Sequence, residues 1–170
     1  MSNPLQRFED IAKASLPVIS CIFFLLLIMV PWPSPMMKVV FSTLPLMALC
    51  FWIVNQPDHM SMAWSFIIGF MQDVLLVQPL GVTALAYLAA DFFLRGQRNF
   101  FLQQSFQHMW MMFAFVMVGV SLVQWLVASL LIHTWVDVVP VALRMLLGVL
   151  FFPMMTMLLH NVQRMAFKSN

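Results

Sequence analysis

Apolar residues run through this chain in stretches long enough to cross a membrane, and this limits its fold more than any other feature. A helix that spans the hydrocarbon core needs about 20 mostly apolar residues, within a range of roughly 17–25. Because lipid offers backbone groups no hydrogen-bond partners, such stretches predict helices. Short polar or proline-containing breaks separate them, such as the PWPSP that follows Val30. Six such segments are predicted, over about residues 15–30, 37–54, 60–77, 80–94, 109–132 and 138–160.

The composition agrees with a polytopic membrane protein. The chain is 63% hydrophobic and 8% charged, whereas soluble domains have about 45–50% apolar and about 25% charged residues. The 170 residues are apolar almost from end to end, so we predict an all-α protein with a single six-helix transmembrane domain over residues 1–170. The net charge of +2 comes from scattered basic residues. Nucleic-acid binding needs a clustered basic face, so nucleic acid is excluded as a partner.

The distribution of lysine and arginine predicts the orientation of the bundle. Cytoplasmic loops of membrane proteins carry an excess of these residues. With both termini placed in the cytoplasm, only Lys38 lies on the outer side. We therefore predict that the termini and the 95–108 loop are cytoplasmic, and that PWPSP, QPLG and HTWVD face outward. The basic residues assigned to the cytoplasmic side are Arg7, Lys13, Arg95, Arg98, Arg164 and Lys168.

The third and fourth segments are joined by a very short turn, QPLG at residues 78–81, and the fourth is shorter than a membrane is thick. Residues 80–94 make a helix about 22 Å long, whereas the hydrocarbon core is about 30 Å thick. We therefore expect the turn to lie below the outer surface, where irregular backbone needs a cover of protein or a water-filled cavity. Ala86 and Ala90 form a small-xxx-small pair that allows close helix packing, so we expect this hairpin at the centre of the bundle.

One carboxylate, Asp73, lies inside the third segment in the stretch GFMQDVLL. It precedes Pro79 by six residues, about 9 Å of helical rise. An ionised group at that depth costs roughly 2.5–3.5 kcal/mol on insertion scales, so it needs a partner. Arg144 follows Val138 by the same six residues, and we predict a buried ion pair between Asp73 and Arg144. Asp137, seven residues before Arg144 on the same helical face, is an alternative partner nearer the surface.

Two interpretations of that pair stay open. It is either a structural pair that fixes the register of two helices, or a proton or substrate site, because ionisable residues inside membranes are functional candidates. A second pair, Asp91 and Arg95, has the i,i+4 spacing of neighbours on one helix face. We predict that these two residues form a satisfied ion pair at the cytoplasmic end of the fourth segment.

Signatures of catalysis and metal binding are missing from the sequence. It contains no G-x-S-x-G, no glycine-rich phosphate loop and no H-E-x-x-H. The 17 methionines are predicted to fill the core rather than to bind copper, and Cys21 and Cys50 act as small hydrophobic residues. We therefore predict no enzymatic activity, no cofactor and no metal.

The stretch GFMQDVLLVQPLGVTALAYL, residues 69–88, resembles the hairpin of the MreD family of rod shape-determining proteins, in which a glycine, an aspartate and a P-L-G turn recur over two adjacent spans. The context also fits, with PWP at residues 31–33 after the first segment and QRNF at residues 97–100 before the fifth. The residues that match the family motif are Gly69, Asp73, Pro79, Leu80 and Gly81.

The resemblance implies a multi-pass component of the bacterial inner membrane that acts in cell-wall elongation, with a fold similar to the substrate-binding subunits of energy-coupling-factor transporters. It implies an MreC-like bitopic partner, with MreB, RodA and the elongation-specific penicillin-binding protein in the same complex. No catalytic activity is attributed to the family. Two functions follow: a scaffold that binds an MreC-like partner, or a transporter-type subunit. The second requires an outward-facing pocket of a few hundred Å³ with several converging polar groups.

Overall fold

The computed structural model of the chain describes residues 4–31, 33–101, 106–133 and 137–167. Within these ranges the structure is all-helical and contains no strand. Two short 3-10 turns, Leu27–Met29 and Pro57–His59, follow the first and second helices. Trp32, Lys168 and residues 102–105 of the predicted 95–108 loop lie outside the described ranges. The helices are α1 (Pro4–Leu26), α2 (Pro35–Asn55), α3 (Met62–Leu75), α4 (Val82–Phe101), α5 (Phe106–Ile132) and α6 (Val138–Phe167).

Three of these helices are long and apolar enough to cross a membrane. The qualifying stretches are Met36–Asn55, Gln107–Leu131 and Val138–Met165, while Ser15–Met29 and Met62–Leu75 are shorter apolar helices. The all-helical fold predicted from the sequence is thus confirmed. The arrangement as six membrane spans stays a prediction.

Helix α4 is longer than the predicted fourth segment, because it has 20 residues and continues from Val82 through Arg95 to Phe101. The membrane span over residues 80–94 stays a prediction. The predicted segment ends where the polar stretch begins at Arg95, but arginine and glutamine are good helix formers and do not stop a helix. The depth of the turn relative to the membrane surface also stays a prediction. In the structure the turn residues Val77 and Leu80 are 92% and 65% exposed.

Helix α2 lies at the centre of the bundle. Every side chain from Pro45 to Val54 is buried, and α2 packs against α1, α4 and α6. The α3–α4 hairpin is less central than the sequence suggested, because α3 exposes one face that carries Phe66, Phe70 and Val74. Its other face packs on α4, which in turn contacts α2 and α5. The centre of the core is therefore the helix with the longest unbroken run of buried apolar residues.

Aromatic side chains join α2 and α6 to their neighbours. The indole N–H of Trp52 in α2 donates a hydrogen bond of 2.7 Å to the hydroxyl of Ser20 in α1. The rings of Phe113 in α5 and Phe152 in α6 stack with centroids 4.0 Å apart. Buried aromatic pairs of this kind add about 0.5–1.5 kcal/mol beyond the area that they bury. These contacts hold α1 and α5 against the rest of the bundle.

Candidate functional site: a capped hairpin beside a polar cavity

The turn between α3 and α4 depends on glycine at two positions. Gly81 has φ +94°, a conformation that glycine adopts without the steric cost that other residues incur. A Cβ atom added at Gly69 would lie 2.7 Å from the Cα atom of Ala84, so the absent side chain lets α3 approach the backbone of α4. Both glycines belong to the motif found in the sequence. They allow the start of α4 to lie directly beside the end of α3.

The carboxylate of Asp73 caps the N-terminus of α4 across this turn. Its Oδ2 atom accepts hydrogen bonds from the backbone N–H groups of Gly81 at 2.9 Å, Thr83 at 3.1 Å and Ala84 at 3.4 Å. Oδ1 accepts a second bond of 3.1 Å from the N–H of Thr83. The side chain is fully buried. The first turn of α4 thus receives its hydrogen-bond acceptor from the preceding helix.

This arrangement explains how a carboxylate is accommodated in an apolar segment. The first N–H groups of any helix lack partners within the helix, and the helix dipole favours a negative charge at that end. Asp73 satisfies both requirements at once, and its own carbonyl oxygen accepts a 3.0 Å bond from the N–H of Gln78. The backbone of α4 therefore supplies the hydrogen-bond donors that were expected from a basic side chain.

The predicted direct ion pair between Asp73 and Arg144 is not formed. Arg144 Nη1 instead donates a 2.8 Å hydrogen bond to the Oε1 atom of Gln124 in α5. Gln124 Nε2 donates a 2.9 Å bond to the hydroxyl of Thr83, whose backbone N–H binds Asp73. Gln124 and Thr83 thus lie between Arg144 and Asp73 and connect them through hydrogen bonds. Gln124 was not among the predicted site residues. A lone amide in an apolar segment is recognisable as polar, but nothing in the sequence identifies its partners.

Asp137, the alternative partner, caps a different helix. Its Oδ1 atom accepts a 3.1 Å bond from the backbone N–H of Val139, at the first turn of α6. The residue is exposed, and among the described residues no ion pair joins it to Arg144. Its position is that of an ordinary N-cap.

The predicted pair of Asp91 and Arg95 is present, with an i,i+4 ion pair between Arg95 Nε and Asp91 Oδ1. It is not a surface pair, however, because Asp91 is fully buried. Asp91 Oδ2 also accepts a 2.5 Å bond from the hydroxyl of Ser65 in α3. The guanidinium of Arg95 further donates to the carbonyl oxygens of Pro57 and Met60. The pair therefore ties α4 to α3 and to the connection between α2 and α3.

We expect Arg95→Lys to lower the stability of the protein by about 1–2 kcal/mol, because a lysine cannot reproduce the fixed fork of donors that reaches a carboxylate and two carbonyl groups. Thermal unfolding in detergent, followed by tryptophan fluorescence, measures the effect. Arg164→Lys, at an exposed position near the end of α6, is the matched control and should leave the melting temperature unchanged. Equal melting temperatures for the two variants would show that the fork geometry contributes nothing.

A third buried polar group joins three helices. The amide of Gln72 in α3 donates a 2.9 Å bond from Nε2 to the carbonyl oxygen of Ser42 in α2. Its Oε1 atom accepts a 2.6 Å bond from the hydroxyl of Tyr87 in α4. These two hydrogen bonds join α2, α3 and α4 inside the bundle, and neither of them was predicted. Neutral side chains on separate helices carry no spacing signal in a sequence.

A partly open cavity of about 490 Å³ lies beside the hairpin. It is found at the end of the bundle that carries the turns between α1 and α2, between α3 and α4, and between α5 and α6. Most of its wall is apolar, including Val77, Trp125 and Val141. The polar or charged residues that line it are Lys38, Ser42, Gln78, Ser121, Gln124 and Arg144.

The described residues contain no cluster of three or more histidine, cysteine, aspartate or glutamate side chains able to hold a metal ion. Cys21 and Cys50 are buried free thiols. The acidic groups at the two ends of the hairpin are used differently: Asp73 binds backbone N–H groups and Asp91 binds Ser65 and Arg95. This geometry positions helices, and it does not direct an acid and a base toward a common reacting atom.

The fold and the site together define a helical membrane protein whose buried polar residues hold a helical hairpin in place. Residues 11–162 match the model of the rod shape-determining protein MreD family. The chain therefore belongs to the MreD family, which confirms the resemblance inferred from residues 69–88 and implies a role in rod shape determination. The family is a shape-determining one and not a known enzyme family. No curated protein and no solved structure gives a significant match.

Proposed function

We propose that this protein is a non-catalytic scaffold of the bacterial inner membrane that maintains rod shape by binding an MreC-like bitopic partner within the cell-wall elongation machinery. The family match over residues 11–162 carries the proposal. MreB, RodA and the elongation-specific penicillin-binding protein are proposed as members of the same complex. The bias of lysine and arginine supports a multi-pass topology with both termini in the cytoplasm.

The use of polar residues supports a scaffold. Asp73, Asp91 and Gln72 each join two or more chain segments inside the bundle. The outer faces of α5 and α6, by contrast, carry exposed apolar side chains such as Phe115, Leu126 and Met154. Exposed apolar area of this extent suits contact with lipid and with the helices of membrane partners. A protein that works by shape recognition needs a fixed bundle of this kind.

Co-purification tests the proposal. We expect the tagged chain, extracted from membranes of a rod-shaped bacterium, to recover an MreC-like protein in a stoichiometric amount. Asp73→Ala should recover less than a third of that amount, because the α3–α4 hairpin loses its cap. Asp137→Ala is the matched control, since it removes an exposed aspartate that caps another helix through a single backbone bond from Val139. Its recovery should equal that of the wild type.

Two results would contradict the scaffold. In one, the wild type recovers no elongation protein but retains a small molecule. In the other, cells that depend on this chain keep their rod shape after it is depleted. Membrane levels of each variant, measured by immunoblot, separate loss of binding from loss of protein.

The cavity favours a second candidate function, a membrane subunit that binds a small molecule. Its volume of about 490 Å³ lies within the range of roughly 300–1,000 Å³ found for ligand sites. Several polar groups line its wall, as the transporter-type alternative required. The proposed likeness to the substrate-binding subunits of energy-coupling-factor transporters supports the same reading. Native mass spectrometry of the purified chain tests it, and a spectrum without any bound molecule would reject it.

A further inference from the structure

Arg144 lies on the cavity wall with part of its hydrogen-bonding capacity unused. Its Nη1 atom donates to Gln124 at 2.8 Å, but its Nε and Nη2 atoms are buried and have no hydrogen-bond partner. No carboxylate among the described residues forms an ion pair with it. A buried cation without a counter-charge costs several kcal/mol. The guanidinium therefore has two donors available for an anion in the cavity, which the described part of the chain does not supply.

The unused donors have a defined geometry. Nε and Nη2 lie on the same edge of the planar guanidinium, and their N–H groups form a fork that matches two oxygen atoms of one anionic group. The bond from Nη1 to Gln124 fixes the opposite side of the plane. Gln124 is itself held by Thr83 at 2.9 Å. The network that includes the hairpin cap therefore sets the orientation of the fork.

Other groups on the cavity wall favour an anion with more than two oxygens. The hydroxyl of Ser121 is buried and has no hydrogen-bond partner. Lys38 lines the same cavity with an exposed side chain, and no acidic residue is among the described residues that form the wall. A carboxylate uses both of its oxygens on the arginine fork, whereas a phosphate keeps an oxygen for Ser121. Trp125 and Val141 add an apolar surface for the remainder of the ligand.

We propose that this cavity binds a phosphate group, with the Nε and Nη2 atoms of Arg144 and the hydroxyl of Ser121 as hydrogen-bond donors and Lys38 at the entrance. The inference does not depend on the scaffold role. It rests on the second candidate function, for which it names the ligand class. The phosphate belongs either to a membrane lipid or to a soluble phosphate compound, and the two sources are separated by experiment.

Ligand-dependent thermal stability of the full-length chain in neutral detergent tests the proposal. The probes are dioctanoyl-phosphatidylglycerol, dioctanoylglycerol, octanoate and inorganic phosphate. A ligand that binds the native state raises the melting temperature in a saturable way. We expect this rise with phosphatidylglycerol and not with dioctanoylglycerol or octanoate. An equal saturable rise with inorganic phosphate assigns the site to soluble phosphate compounds, and its absence assigns the site to lipid headgroups.

Variants connect the effect to the cavity. Arg144→Gln should weaken phosphatidylglycerol binding by about tenfold or more, as expected for lost hydrogen bonds to a charged group. Arg164→Gln removes the same charge from an exposed position near the end of α6 and should bind as the wild type does. If Arg144→Gln fails to fold, Ser121→Ala and Lys38→Gln carry the test. Each should weaken binding by roughly threefold.

The proposal is overturned if dioctanoylglycerol or octanoate stabilises the wild type as much as phosphatidylglycerol does, or if none of the cavity variants changes the affinity. A bound neutral molecule that survives Arg144→Gln in native mass spectrometry would preserve the ligand-binding function and refute the phosphate chemistry. The absence of any bound molecule, together with no stabilisation by the four probes, would reject both the ligand-binding function and the phosphate site. Recovery of an MreC-like partner is measured separately and bears only on the scaffold.

Discussion

Asp73→Ala is expected to lower the stability of the protein by about 3 kcal/mol, combining the loss of a helix cap with buried N–H groups left without an acceptor. The carboxylate accepts bonds from Gly81, Thr83 and Ala84, and alanine replaces none of them. Asp73→Asn keeps one oxygen acceptor and loses the charge, so it should cost about half as much. Unfolding in mixed micelles of increasing denaturing-detergent content, followed by tryptophan fluorescence, measures both changes.

Asp137→Ala is the matched control for this prediction. Asp137 is also an aspartate that caps a helix, but it is exposed and accepts a single backbone bond, from Val139. Its replacement should cost only about 0.5–1 kcal/mol. If the two alanine variants unfold at the same detergent fraction, the buried cap has no special contribution to the stability of the hairpin.

The second large effect is expected at Gly69. In Gly69→Ala the new Cβ atom would lie 2.7 Å from the Cα of Ala84 and 2.9 Å from the carbonyl oxygen of Thr83. Both are backbone atoms that cannot rotate away, so α3 and α4 must separate. Overpacking of this kind costs typically 1–3 kcal/mol, and we expect the upper end because the same shift lengthens the bonds to Asp73. Gly69→Val should prevent accumulation in the membrane.

Two other helical glycines supply graded controls. Gly119→Ala introduces a Cβ atom with no neighbour within 4 Å, and it should be neutral or slightly stabilising because alanine is the better helix former. Gly148→Ala would meet the terminal methyl group of Met117 at 3.0 Å, a flexible group that can move aside. The melting temperature is expected to be highest for Gly119→Ala, lower for Gly148→Ala and lowest for Gly69→Ala. Any other order would contradict backbone contact as the cause.

The helices themselves were predictable, because the hydrogen-bonding needs of a backbone in lipid allow long apolar segments few other structures. The end of α4 was not predictable, because hydropathy indicates where a chain leaves the lipid and not where its helix ends. Residues 95–101 stay helical despite their polarity. The pair of Asp91 and Arg95 was predictable because the spacing of one helix fixes it.

Contacts between helices were harder to predict than contacts along one helix. Depth along the chain placed Asp73 and Arg144 at similar levels, but helical rise says nothing about which face of a helix points inward. Nearly every residue has a backbone N–H group, so the sequence does not show which of these groups will bind a carboxylate. Gln124 carries no charge to mark it as the intermediate between the two residues. No sequence pattern predicted the position of the cavity, because four separate chain segments form its wall.

The cap on α4 has a consequence for the order in which the chain is assembled during synthesis. All backbone donors that bind Asp73 lie within 11 residues of it along the chain, and a loop this short closes at little entropic cost. The hairpin can therefore form with its carboxylate already hydrogen-bonded, without any contact to α5 or α6. Arg144 emerges 71 residues after Asp73 and joins a structure that does not need its charge.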